Sequence, residues 1–186
     1  MKTIYRNILS RYFPWALIPV MFLSASITHA QASAELSQEA INARVAEIIN
    51  HGLQVGVITT PEGVRATPMK AHVSLQEQKE IKAFGERAIM PLSQYLELSD
   101  YRAQHLVVNM LGYIGGKKVV KPLTYAAERS DSPDVRSAAV NNLAQEPWAD
   151  VADIIERIAV NDTDPFVKRD AQAIIAKHQP VSEQQK

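Results

Sequence analysis

Three segments of the chain, DYRAQHLVVNMLG from Asp100, SPDVRSAAVNNLA from Ser132 and DPFVKRDAQAIIA from Asp164, align without a gap at a spacing of 32 residues. A period of that length reuses one structural unit, and such a chain must bury each unit's apolar side against its neighbours. Each segment opens on a residue type that caps helices. Pro133 and Pro165 then occupy the first helical position, where a missing N–H costs nothing. Inside the segments, Ala103, Val135 and Val167, then Val107, Ala139 and Ala171, then Leu111, Leu143 and Ile175 recur at steps of four. Each helix therefore carries one apolar stripe that has to be covered.

The cover comes from just upstream. Residues 88–96 (AIMPLSQYL), 119–127 (VVKPLTYAA) and 151–159 (VADIIERIA) repeat apolar steps of their own, such as Leu92 to Leu96 and Leu123 to Ala127. Each unit reads as a helical hairpin, and three units are about the minimum for a stable stack. Residues 86–178 resemble a short array of HEAT repeats, on Val135-Arg136, Val167-Lys168, Pro122-Leu123 and Asp162. The first unit departs from the pattern, with Ala103-Gln104 and a shifted Pro91, and the third has Ile154 in place of proline.

The resemblance implies an all-α fold, a short α-solenoid of about three HEAT-like hairpins whose second helices line a concave face. It also implies a surface that holds another protein, without catalysis. On that face, residues offset from the buried stripe are His105, Asn109, Ser137, Asn141 and Arg169, with Tyr101 and Trp148 as aromatic anchors. Trp148, beside Pro147, has the competing role of packing between units. Arg136 and Lys168 are expected to bond acidic or carbonyl groups of an adjoining unit.

A phosphate-binding reading attaches to LGYIGGKK, residues 111–118, and the residues do not support it. A Walker-type loop needs a glycine where Leu111 stands and Ser or Thr where Lys118 stands. Gly112, Gly115 and Gly116 read instead as the end of one helix and the turn to the next. Cysteine is absent, and His29, His51, His72, His105 and His178 share no metal-binding helical step. No catalytic motif, cofactor or metal site is therefore expected. Asp162 and Asp164 suggest a cation site, but helix capping accounts for Asp164.

The first 30 residues run from Lys2, Arg6 and Arg11 through an apolar stretch at 12–27 to Thr28-His29-Ala30, the order of a cleavable export signal. Pro14 and Pro19 interrupt a stretch shorter than the roughly 20 residues of a spanning helix, although an uncleaved anchor would tether the chain to a membrane. Without those residues, 17 basic side chains face 20 acidic ones, a net charge of −3 that does not suit nucleic acid. Some proteins resembling HEAT arrays are lyases acting on bilins or glycosylases acting on alkylated DNA bases, and the charge and export signal argue against both.

The domains expected are thus a signal peptide (1–30), an N-terminal part (31–85), the repeats (86–178) and a polar disordered tail (179–186). In the N-terminal part, Ser37 opens a helix to about Asn50, stopped by His51-Gly52, and Ser74-Leu75-Gln76-Glu77 forms a capping box. Residues 53–73 between them read as a small β-hairpin or a loop, with Pro68 limiting its second arm. That insertion either covers the end of the stack or binds a partner. The sequence thus points to a periplasmic or secreted protein that binds another protein, with an immunity protein for a toxic enzyme and a membrane-tethered assembly factor as alternatives.

Overall fold

Asp100 and Asp164 start their helices as the capping rule requires. The Asp100 side chain accepts from the Arg102 N–H at 2.9 Å, and Asp164 from Phe166 and Val167 at 2.8 and 3.2 Å. Ser132 holds the same extended backbone (φ −84°, ψ 119°) without a side-chain cap bond, and Pro133 follows it. The computed structural model describes residues 36–54, 57–60, 63–66 and 72–178. The export signal expected over 1–30, the tail over 179–186 and the limit set by Pro68 lie outside the described residues.

In chain order the elements are α1 (Gln38–Gln54), β1 (Val57–Thr60), β2 (Gly63–Ala66), α2 (Leu75–Phe84), an arm of short turns, α4 (Tyr101–Ile114), α5 (Lys117–Arg129), α6 (Pro133–Leu143), α7 (Trp148–Asn161) and α8 (Pro165–His178). The arm consists of a 3-10 turn at Gly85–Ala88, α3 (Ile89–Ser93) and a 3-10 turn at Gln94–Glu97. Its broken course has a cause at Pro91, which lacks the N–H that would bond the carbonyl of Arg87 four residues back. That carbonyl instead accepts from the Gln38 side chain of α1 at 2.9 Å.

The helices stack in two layers: α1, the arm, α5 and α7 in one, and α2, α4, α6 and α8 in the other. One continuous core runs between them from Ile41 to Ile174. The described part is therefore an all-α solenoid with a hairpin inserted at its first unit, since α1 and α2 extend the three expected hairpins by a fourth pair. The Ser74–Glu77 capping box forms as expected, and Glu77 also contacts His51 Nδ1 at 2.9 Å, tying the end of α1 to the start of α2. His72 N–H donates to the Gly52 carbonyl at 3.4 Å across the same gap.

Two glycines behave differently from the expectation. α1 passes through Gly52 to Gln54, where a Cβ would meet Leu106 Cδ2 at 2.9 Å. α4 passes through Gly112, where a Cβ would lie 1.8 Å from Asn142 Oδ1. Both glycines thus permit close packing and stop nothing. The turn belongs to Gly115 (φ 65°) and Gly116 (φ 86°).

Position by position, the units match at the 32-residue spacing. Arg136 donates to both carboxylate oxygens of Asp162 at 2.8 and 3.0 Å and to the Ser130 carbonyl at 2.9 Å. One unit earlier, Gln104 donates to the Leu98 carbonyl at 2.6 Å and accepts from Ser130 Oγ at 2.6 Å. The charged rung and the neutral rung join the same places in successive units. At the far end the pattern changes: Val108 and Val140 are fully buried, while Gln172 at the matching place on α8 is exposed.

Candidate functional site

The layer of second helices carries the residues singled out in the sequence. His105, Ser137 and Arg169 stand at matching places on α4, α6 and α8, and Asn109 and Asn141 match on α4 and α6. Because these helices run side by side in one layer, the 32-residue spacing turns into rows across the face.

Side-chain bonds join them into two tracks. In the first, Asn109 Nδ2 lies 3.3 Å from His105 Nδ1, Asn142 Nδ2 donates to Asn109 Oδ1 at 3.5 Å, and Gln145 Nε2 donates to Asn142 Oδ1 at 3.2 Å. In the second, Asn141 Nδ2 donates to the Ser137 carbonyl at 2.9 Å, and Ser137 Oγ donates to Asp170 Oδ2 at 2.5 Å. Asp170 Oδ1 is 3.6 Å from Arg169, whose guanidinium lies 5.0 Å from the centre of the exposed Phe166 ring. The first track crosses from α4 to α6 and the second from α6 to α8.

Tyr101 and Trp148 belong to neither track. Tyr101 is 54% exposed on the first turn of α4. Trp148 opens α7, with Pro147 as the residue before the helix. It packs on the core in the other layer and stacks on His178 at 4.3 Å and 5°, closing the last hairpin at its open end.

Asn142, Gln145, Asp170 and Phe166 were not singled out in the sequence. Two of them carried a signal there, since Asn142 stands where the neighbouring units hold Met110 and Ile174, and Asp170 where they hold Leu106 and Ala138. A polar side chain at an otherwise apolar repeat position marks a crossing between helices.

The remaining candidate chemistry resolves into structure. Asp162 is taken by Arg136, and its buried carboxylate also accepts from the Asp164 N–H at 2.8 Å. Burial pushes that carboxyl up, and the Arg136 fork with the Asp164 N–H outweighs it, so the group ionises below its ordinary 3.8. The glycine turn does present an N–H to an anion, but the anion is the chain's own: Gly116 N–H donates to Glu146 Oε1 at 2.9 Å. A groove of about 300 Å³ between α5 and α7 is lined by Ala127, Glu128, Arg157, Ile158, Asn161 and Asp162. Arg157 spans it to Glu128 at 2.6 Å. Among the described residues, no group of three His, Asp or Glu side chains is placed to hold a metal ion, and no helix is long and apolar enough to cross a membrane.

A family model described as HEAT repeats matches residues 89–176. Searches of curated proteins and of solved structures return no match. HEAT repeats typically mediate protein–protein interaction and are generally scaffolds without enzymatic activity. The match begins at α3 and ends in α8, so it takes in the units that carry both polar tracks. The 32-residue period and the two-layered stack agree with that match: residues 89–176 form an array of helical hairpins similar to HEAT repeats.

Proposed function

We propose that the protein is an exported, non-enzymatic interaction module that holds another protein against α4, α6 and α8. The observation that carries this is the pair of polar tracks on one face of the array, with His105, Asn109, Ser137, Asn141 and Arg169 at matching repeat positions. Such rows offer donors and acceptors at a regular spacing, and Tyr101 and Phe166 at its borders add exposed aromatic area of the kind that dominates interface energetics. Trp148 contributes by fixing the last hairpin. Export rests on the basic, apolar and small order of residues 1–30.

The test uses position-specific photo-cross-linking in the native host. A cross-linker at Asn141 is expected to trap one dominant partner, and a cross-linker at Asp153, exposed on the opposite layer, is expected to trap none. Trapping from Asp153 alone, or from neither, overturns the reading. Intact mass of the recovered protein tests export separately: a chain starting near Gln31 supports cleavage, and a retained N-terminus supports a tethered form.

A further inference from the structure

The repeat does not account for the hairpin. β1 and β2 pair antiparallel from Val57↔Ala66 to Thr60↔Gly63 and, among the described residues, form a two-stranded sheet in which neither strand pairs with a third. Two strands of this length are marginal in water on their own and need a third strand or a covering helix. The two edges differ in sequence. β2 contains Gly63 and Arg65, and Pro68 follows it, all residue types that blunt strand pairing. β1 is Val-Ile-Thr-Thr, uncharged and entirely β-branched.

We propose that β1 pairs antiparallel with β1 of a second copy of this chain, about a two-fold axis at Ile58, to make a four-stranded sheet. Backbone parity selects the axis. Strands joined through a two-residue connection close on a hydrogen-bonded pair, here Thr60 and Gly63. Alternation makes Ile58 and Arg65 the next bonded pair, which turns the N–H and C=O groups of Val57 and Thr59 toward the open edge.

Two identical edges can meet only with bonded residues opposite bonded residues, so the axis passes through a residue. With the axis at Ile58, Val57 and Thr59 exchange both bonds with Thr59 and Val57 of the second copy. With the axis at Val57 or at Thr59, one outward residue would instead face residue 55 or residue 61, both outside β1, and Pro61 has no N–H. At the chosen axis the two Ile58 residues form a non-hydrogen-bonded pair, with Cα atoms about 4.5 Å apart. The assembly joins two arrays at their first units and leaves both polar faces available, so a partner with repeated epitopes gains avidity. The pairing itself does not rest on the reading of those faces.

Sedimentation of the full chain is expected to give a dimer. Thr59→Pro removes an outward N–H and spares the β1–β2 ladder, so it is expected to give a monomer with unchanged helical circular dichroism and melting. Because the chain has no cysteine, Ile58→Cys reports the contact directly. Under mild oxidation it is expected to form a disulfide-linked dimer, which Val160→Cys, exposed on α7, does not. A monomeric wild type, a dimer that persists in folded Thr59→Pro, or an Ile58→Cys chain that stays unlinked overturns the proposal.

Discussion

Single residues decide how closely the units approach. Gly112→Ala would raise helix propensity at an exposed site by about 1 kcal/mol, yet here its Cβ would lie 1.8 Å from Asn142 Oδ1. The variant is expected to lose about 1–3 kcal/mol by overpacking, and Gly112→Ala with Asn142→Ala to recover most of it, as read from urea midpoints. Arg136→Ala leaves the buried Asp162 carboxylate without its fork and is expected to cost about 3–5 kcal/mol. Since the folded Asp162 ionises below 3.8, its contribution is complete above that pH and is lost as pH falls through the lower folded value. The stability gap between wild type and Asp162→Asn should accordingly narrow below pH 3.8.

At the scale of elements, what the sequence disclosed was whatever depends on spacing. The starts of α4, α6 and α8, their stripes and the capping box of α2 follow from residues within a turn of one another. Gly52 and Gly112 were misread because their reason lies on another helix, at Leu106 and Asn142. The broken arm around α3 was hidden for the same reason, since the relief of the Arg87 carbonyl comes from Gln38 on α1. The polar rows were legible from the period, whereas the bonds that cross them through Asn142 and Asp170 needed the packed helices. Leu143 is fully buried on α6, and Leu143→Ala is expected to lose about 2–5 kcal/mol in chemical denaturation. His105→Ala with Asn141→Ala, whose side chains lie outside the core, should keep its melting temperature while losing partner capture.

For the molecule as a whole, the continuous core from Ile41 to Ile174 makes the first pair and the last hairpin parts of one stack. Truncations at Leu92 and at Ile155, both fully buried but in different units, are expected to shift a single circular dichroism transition. The two ends of the stack are finished differently: α1 covers the front, and α8 turns Gln172 outward where Val108 and Val140 are covered by a neighbour. That difference dictates where the gene can grow. A duplicated 32-residue module spliced ahead of Pro165 finds an apolar surface on each side and should raise the melting temperature. The same module appended after His178 would trap the Gln172 amide in a dry seam, so lengthening of such a chain has to proceed from within.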